Sequence, residues 1–212
     1  MRRDEKSGVI LPEAALYEHD LEADHWDVHQ YWLSSPSAAH FPGRRDLPAG
    51  ITMSEGVPEW GFARQMYWDV GGPWIWGDRR AYSDQQWQDY VALPGFRQFK
   101  LFLKDGALGG YAETSLDPES GIGCLEYFGL LPNAVGQGAG PAFLSQIIGN
   151  LWDEEAREVQ ISTCTLDHPG AFRVYCRNGF DRLSSHFYTM PNPVKARIIS
   201  PEEFQIRAKL LG

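Results

Sequence analysis

The chain has 212 residues, of which 43% are hydrophobic, and its formal net charge is −9. This length suits one domain with an elaboration, and the apolar fraction is large enough for a core, which excludes a globally disordered chain. A strongly negative protein lacks the basic surface that broad nucleic-acid binding requires, so we expect no nucleic-acid partner. The charge would suit a cationic ligand, although it is also ordinary for a soluble enzyme.

The first 49 residues are predicted to form an ordered extension. Among their aromatic residues, Trp26, Tyr31 and Trp32 require a surface to pack against. We therefore expect residues 1–49 to pack on a domain that spans residues 50–190, with residues 191–212 as a C-terminal segment. No signal peptide is predicted, because Met1–Lys6 alternates charges and no apolar run follows.

The elements of the domain follow from apolar periodicity and from turn residues. The first predicted elements are strand Ile51–Ser54 and helices Pro58–Asp69 and Ser83–Leu93. Three strands follow, Gln98–Lys104, Leu108–Thr114 and Gly123–Leu131, and then a glycine-rich loop and a helix with Leu144 and Leu151 on one apolar face. The last elements are strand Val159–Leu166, a helix from Pro169 to about Asn178, and strand Phe180–Met190. Ser83 is expected to cap its helix, and Asp167 or His168 to cap the last helix.

A long stretch without charged side chains lies between Glu126 and Asp153. Its length could span a bilayer. However, Pro132, Asn133 and three closely spaced glycines would break a membrane helix. We therefore predict a buried strand, a tight loop and a helix, and no membrane association.

Three cysteines, Cys124, Cys164 and Cys176, show neither metal-ligand spacing nor an even number for disulfide pairing. Free cysteines are usually buried in the core of reduced proteins. We therefore expect a cytoplasmic protein without a metal.

The strongest local signal is a glycine-rich loop between a predicted strand and an amphipathic helix. Gly136, Gly138 and Gly140 occupy alternate positions in it. Glycines let the backbone approach a ligand closely, and the positive end of the following helix favours an anion such as phosphate. A plain tight turn is the alternative. The spacing fits neither the dinucleotide-binding Gly-x-Gly-x-x-Gly pattern nor the Gly-Lys-Ser/Thr loop of nucleotide-binding proteins.

Two motifs resemble those of the GNAT superfamily of acetyl-CoA-dependent N-acetyltransferases. The family loop reads Gln/Arg-x-x-Gly-x-Gly/Ala, and this chain has Val135-Gly136-Gln137-Gly138-Ala139-Gly140, with Val135 in place of Gln or Arg. The family's Asn-Pro-x-Ala and Tyr-x-x-x-Gly-Phe correspond to His168-Pro169-Gly170-Ala171 and Tyr175-Cys176-Arg177-Asn178-Gly179-Phe180, with His168 in place of Asn. Both motifs occur in the family's order and separation.

Three further segments are similar to a bacterial subgroup of that superfamily: Val70–Arg79, Tyr127–Pro132 and Thr163–Pro169. The resemblance covers roughly residues 50–190. It implies an α+β fold, the GNAT fold, in which helices flank both faces of a mixed central sheet. It leaves the acceptor of the acetyl group open.

The resemblance also implies where acetyl-CoA would bind. Backbone groups of Leu130 and Leu131 would hold the pantetheine arm at a place where two strands splay apart. The loop would hold the pyrophosphate, through Val135, Gly136, Gln137, Gly138, Ala139 and Gly140. His168 would either contact the cofactor or cap its helix.

The resemblance places Tyr175 where the family has the acid that protonates the departing thiolate of coenzyme A, with a core tyrosine as the alternative. A protonated amine must also lose a proton before it attacks, so a base is needed, directly or through water. The family position that sometimes carries a glutamate is Cys124 here, and Glu126 points to the same face of an ideal strand. Glu126 is the first candidate and Glu113 the second, with a structural carboxylate as the alternative for each.

Aromatic and charged residues cluster between the first two predicted helices, a region that helps to wall the acceptor side in this family. Trp74, Trp76 and Asp78 are the candidates, because tryptophans beside a carboxylate can receive a cationic amine. Core and rim packing is the alternative.

We therefore expect direct acetyl transfer, within a ternary complex, to a small-molecule amine or a peptide amine. A homodimer is left open. Two other functions also remain open: a degenerate module that binds acyl-CoA without catalysis, and a related enzyme with another acyl donor.

Overall fold

The computed structural model describes residues 2–3, 10–11 and 19–211. Its strands are β1 (Arg2–Arg3), β2 (Ile10–Leu11), β3 (His25–Ser35), β4 (Thr52–Gly56), β5 (Arg97–Phe102), β6 (Leu108–Leu116), β7 (Ile122–Leu130), β8 (Glu158–Cys164) and β9 (Asp181–Pro191). Its α-helices are α1 (Trp60–Gly71), α2 (Asp84–Val91), α3 (Ala139–Asp153), α4 (Ala171–Cys176) and α5 (Pro201–Leu211).

Seven strands form one sheet in the order β4-β5-β6-β7-β8-β3-β9. In this sheet β7 and β8 are parallel, and the other neighbours are antiparallel. Tyr111 and Ala112 are consecutive on β6 and so point to opposite faces. Tyr111 packs in a cluster with Val70 of α1, and Ala112 packs in a cluster with Phe143 of α3. The predicted α+β fold, with helices on both faces of a mixed sheet, is confirmed.

β3 is an interior strand of this sheet, between β8 and β9. Residues 30–35 pair with β8, and residues 25–34 pair with β9. Val28, Tyr31 and Leu33 are buried. The boundary predicted at residue 49 therefore places β3 in the extension by sequence number, whereas its hydrogen bonds place it in the sheet. The sequence pattern predicted neither this strand nor α5.

The helix caps agree only in part with the sequence prediction. Ser83 caps α2 in a reciprocal capping box with Gln86, which confirms the predicted start of that helix. The cap predicted for α4 at Asp167 or His168 is wrong, because Gly170 precedes the helix and no side chain caps it. The Nδ1 atom of His168 instead accepts a hydrogen bond from the Gly170 amide at 2.9 Å.

β7 and β8 diverge where the sheet opens. They pair only at Ile122, Gly123 and Cys124 of β7. Residues 125–130 continue β7 and pair with β6 on their other side. Along those residues the edge of β7 that faces β8 therefore lacks a partner strand in the part of the chain that the structure describes.

A β-bulge interrupts β7 at Glu126. Leu125 pairs with Thr114 and Tyr127 pairs with Glu113, so Glu126 is the extra residue. The packing reflects the bulge, because Leu125 belongs to the cluster under α3 and Tyr127 to the clusters under α1 and α2. On a regular strand, Leu125 and Tyr127 would point to the same face, because they are two positions apart. The bulge therefore changes which side chains of β7 face each side of the sheet.

The charge-free stretch forms the end of β7, the glycine loop and α3, as predicted. Among the helices that the structure describes, none combines the length and the apolar character needed to cross a membrane.

Candidate active site

A cavity of about 1160 Å³ lies at the opening between β7 and β8. Residues 125–130 of β7 line one side, and residues 161–164 of β8 and Tyr175 of α4 also line it. The glycine loop contributes Gly136, Gly138 and Gly140. Because no strand among the described residues pairs with the β7 edge there, its backbone amides and carbonyls are available to a molecule in the cavity.

The glycine loop has an open backbone. Gly136 and Gly138 have φ angles of 82° and 74°, in the left-handed region that favours glycine. A Cβ added to either residue would meet no atom within 4 Å. Gly138 is the N-cap of α3, where no side chain caps the helix and no acidic residue lies in the first turn. Such a helix end is suited to an anion.

The predicted cofactor residues divide into two groups. Six of them line the cavity: Leu130, Val135, Gly136, Gly138, Gly140 and His168. Three belong to the surrounding structure: Leu131, Gln137 and Ala139. The Leu131 amide donates to the Gly109 carbonyl, and the Leu131 carbonyl accepts from the Ala134 amide, both at 2.9 Å. Gln137 donates to the Asn133 carbonyl at 2.7 Å, and Ala139 is buried in the core.

Tyr175 lines the cavity from α4, and the residue is only 7% exposed. Burial, followed by the nearby Asp167 and Cys164, raises the pKa of Tyr175 well above its ordinary value. The hydroxyl therefore keeps its proton throughout the physiological pH range. A protonated hydroxyl at a cavity wall can donate a proton to a departing group.

Asp167 lies in the turn between β8 and α4 and joins this turn to Trp76. Its carboxylate accepts hydrogen bonds from the Thr163 hydroxyl at 2.7 Å, the Cys164 amide at 3.0 Å and the Trp76 indole N–H at 3.3 Å. Burial nevertheless raises the pKa of Asp167. The guanidinium of Arg207, on α5, donates to the Leu166 carbonyl beside it. These bonds fix the relative position of the turn and Trp76.

Asp78, Arg79 and Glu126 form a charged cluster at the cavity wall. The Arg79 guanidinium lies 3.9 Å from the Asp78 carboxylate and 3.7 Å from that of Glu126. It also lies over the Tyr90 ring, 3.6 Å from its centroid. The hydroxyl of Tyr127 donates to Asp78. Two carboxylates thus share one guanidinium, which leaves this end of the cavity with net negative charge.

The two candidate bases occupy different environments. Glu126 is partly exposed, lines the cavity and accepts a hydrogen bond from the Ser115 hydroxyl at 2.7 Å. Glu113 is 1% exposed and lies outside the cavity lining. It accepts hydrogen bonds from Tyr90 at 2.9 Å and from Gln98 at 3.3 Å. Burial raises the pKa of Glu113 from its usual 4.5 to about 7, although both hydrogen bonds oppose the shift.

The buried carboxyl of Glu113 should make folding stability depend on pH. The folded state holds its proton up to about pH 7, and the unfolded chain releases it near 4.5. The contribution to stability is therefore full below the lower value and is lost as pH rises through the higher one. We expect Glu113→Gln to remove a slope of at most about 1.4 kcal/mol per pH unit in this window. Urea unfolding at several pH values measures it, and an unchanged slope would contradict the assignment.

Trp74 and Trp76 line the cavity and also pack against its surroundings. The Trp76 ring lies 4.7 Å from that of Tyr127, and a Cβ added to Gly71 would lie 2.1 Å from the Trp76 ring. The Trp74 ring meets His168 edge-on at 5.6 Å. Together with Asp78, the predicted acceptor residues are therefore brought to one cavity.

Arg79 and Asp167 were not among the predicted site residues. Both stand in segments that carry the family resemblance, Val70–Arg79 and Thr163–Pro169. A signal was therefore present in the sequence. The contacts could not be predicted, because the Arg79 guanidinium lies near the rings of Tyr82, Tyr90 and Tyr127, and the last two of these are distant from Arg79 in sequence.

Comparison with protein-family models finds no match, and comparison with curated proteins finds none either. Solved structures do match. A GCN5-related N-acetyltransferase from Sphaerobacter thermophilus has a TM-score of 0.58 and 18% identity, over 78% of this chain and 52% of that one. A tandem GNAT protein from the clavulanic acid biosynthesis pathway has a TM-score of 0.51 and 18% identity, over 80% and 55%. An aminoglycoside acetyltransferase from an uncultured soil metagenomic sample has a TM-score of 0.50 and 12% identity, over 63% and 90%.

The chain therefore has the GNAT fold. The fold that the sequence resemblance implied is therefore confirmed. The match spans about half the length of the first two structures, 52% and 55%.

Proposed function

We propose that the protein is an N-acetyltransferase that moves an acetyl group from acetyl-CoA directly to an acceptor amine. One observation carries the proposal: the unpaired edge of β7, residues 125–130, lines a cavity that also contains an open glycine loop at the uncapped start of α3. An exposed strand edge can bind an amide-containing chain as an added strand. The GNAT fold supports the same assignment.

The cavity has groups that fit the chemistry of acetyl-CoA. The β7 edge up to Leu130 would hold the amides of the pantetheine arm, and Gly136, Gly138 and Gly140 would hold the pyrophosphate through backbone N–H groups. No acidic residue in the first turn of α3 opposes an anion. Bound acetyl-CoA supplies the activated thioester, and the chain must orient it and handle the protons.

Glu126 is the residue we propose as general base, directly or through water. At neutral pH only one molecule in about 2,500 of a lysine-like amine is unprotonated, which corresponds to roughly 4.6 kcal/mol. Glu126 borders the cavity, whereas Glu113 is buried behind Tyr90. Glu113 would then act on the site only through Tyr90, which lies under the Arg79 guanidinium.

Tyr175 is the proposed general acid. After attack on the thioester, the tetrahedral intermediate collapses and the C–S bond breaks, so the sulfur leaves as a thiolate. The Tyr175 hydroxyl would donate its proton to that sulfur. Trp74, Trp76 and Asp78 would border the acceptor, with the Asp78 carboxylate attracting its ammonium form.

Gly138 offers a test of the loop's role. A substitution at Gly138 must tolerate the left-handed backbone. Valine would lower the stability of the folded protein by about 1–3 kcal/mol there, whereas asparagine adopts this conformation more readily and is the better substitution. We expect Gly138→Asn to weaken CoA binding about tenfold or more, because its side chain enters the open space beside the loop. Isothermal titration calorimetry measures the change.

Gly106→Asn is the matched control. Gly106 also has a positive φ, 81°, and open space where its Cβ would lie, but it belongs to the β5–β6 turn outside the cavity lining. It should lose the same stability and no CoA affinity. Equal CoA affinities in the two variants would contradict the role of the loop.

The proposed function is tested by thiol release from acetyl-CoA with a panel of amines, lysine- and arginine-bearing peptides and polyamines. We expect release that depends on an acceptor and on Glu126, with Glu126→Gln slower. Binding of CoA without release from any acceptor would instead identify a non-catalytic acyl-CoA-binding module. Release with a longer-chain acyl-CoA but not with acetyl-CoA would identify another donor.

A further inference from the structure

A group of aromatic side chains lies on an uncovered part of the sheet. Trp32 of β3 is 43% exposed, Tyr188 of β9 is 37% exposed, and His186 of β9 is also exposed. The rings of His186 and Tyr188 are nearly parallel, at 17°, with centroids 6.2 Å apart. We call these three residues the ring platform. All three line the same cavity as the proposed catalytic residues.

The ring platform lies next to the part of the sheet that α5 covers. On β3, Trp26 and Val28 are buried in a cluster with Ile199 and the partly buried Phe204 of α5. Residues two apart on a strand share a face, so Trp32 follows these two on the face that α5 covers. There it is exposed to the cavity. Along this face of β3, Trp26 and Val28 are thus covered and Trp32 is open and borders the cavity.

Strand pairing and hydrogen bonds connect the strands of the platform to Asp167 and Trp76. Gln30 pairs with Cys164 of β8 and with His186 of β9. The Cys164 amide donates to Asp167, and Asp167 accepts from the Trp76 indole. Trp76 borders the cavity beside Asp78. The lining of the cavity therefore includes both the cluster of Asp78, Arg79 and Glu126 and the three rings of the platform.

We propose that the acceptor is an amine that carries an aromatic ring, and that the ring platform binds this ring while the ammonium group lies at the carboxylates. This inference rests on the proposed function. Aromatic rings favour offset or edge-on contact with other rings, and a positive amine complements two carboxylates that share one guanidinium. A tyrosine is neutral at physiological pH, so the Tyr188 ring does not repel the carboxylates or attract the ammonium by a charge of its own. Trp32 and Tyr188 are then the residues that determine acceptor specificity.

The experiment compares two amines that differ only in the ring, phenylbutylamine and cyclohexylbutylamine, as acceptors with acetyl-CoA. We expect a KM several-fold lower for phenylbutylamine, and Trp32→Ala should raise that KM roughly tenfold and remove the preference. The KM for acetyl-CoA and the kcat at saturating amine should be unchanged. Trp32→Phe, which keeps a ring, should retain most of the preference.

Phe187→Ala is the matched control, because Phe187 lies between His186 and Tyr188 but points to the opposite face of β9. It should leave both KM values unchanged, and melting temperatures identify any variant that fails to fold. Any one of three results would overturn the inference. The KM values for the two amines could be equal, glucosamine could be preferred over both, or Trp32→Ala could change only the KM for acetyl-CoA. Turnover of aliphatic amines without ring preference would overturn it and leave the proposed function standing. No thiol release and no CoA binding would remove both.

Discussion

Leu33→Ala is expected to lower the free energy of unfolding by about 2–5 kcal/mol, the range for removing a fully buried leucine side chain. Leu33 is completely buried in the cluster under α3, on a strand that joins β8 to β9. A cavity at this position cannot be filled by a flexible surface segment, because sheet strands flank it on both sides. Urea denaturation at constant pH measures the loss.

Leu183→Ala is the control for this change. Leu183 lies on the adjacent strand β9 and is 62% exposed, so its truncation should change stability by less than about 0.5 kcal/mol. If both variants lost the same small amount of stability, the packing of Leu33 in the core and the interior position of β3 would be contradicted.

Tyr175→Phe should reduce kcat by roughly tenfold to a thousandfold with an accepted amine. The ring and its packing remain, and only the hydroxyl is lost. A free thiol has a pKa near ~8.5, so a thiolate can leave unaided, and water can partly replace the tyrosine. The KM for acetyl-CoA and the melting temperature should change little. Steady-state kinetics and thermal unfolding measure the two effects.

Tyr31→Phe separates a catalytic from a structural hydroxyl. Tyr31 is buried and hydrogen-bonded to the Nδ1 atom of His29 at 2.6 Å, outside the cavity lining. Its variant should lose stability and keep kcat. A Tyr175→Phe variant with full kcat, or one that only loses stability, would assign Tyr175 to the core and leave the cofactor site unaffected.

The parts of the fold that could be predicted are those specified by neighbouring residues. The glycine loop joins a strand to a helix at the predicted place, and the capping box at Ser83 starts α2. Both depend on residues within one turn of each other, so the sequence pattern contains the whole interaction. The same holds for Leu144 and Leu151, which are buried on one face of α3.

The parts that could not be predicted depend on distant residues. Tyr31 of β3 pairs with Thr163 and with Ser185, each more than a hundred residues away in sequence. The polar residues of β3 also interrupt the alternation that identifies a half-buried strand. The bulge at Glu126 likewise depends on the register with β6, which no property of residues 122–130 alone reveals.

Binding of CoA by the full chain decides whether the cavity is an acyl-CoA site. Ligand that binds only the folded state raises the melting temperature, by an amount that grows with the logarithm of its concentration relative to Kd. We expect CoA and acetyl-CoA to raise the melting temperature, and NAD and ATP to leave it unchanged. A rise with NAD and none with CoA would contradict the assignment of the glycine loop and of the β7 edge, and with them the proposed acetyltransferase.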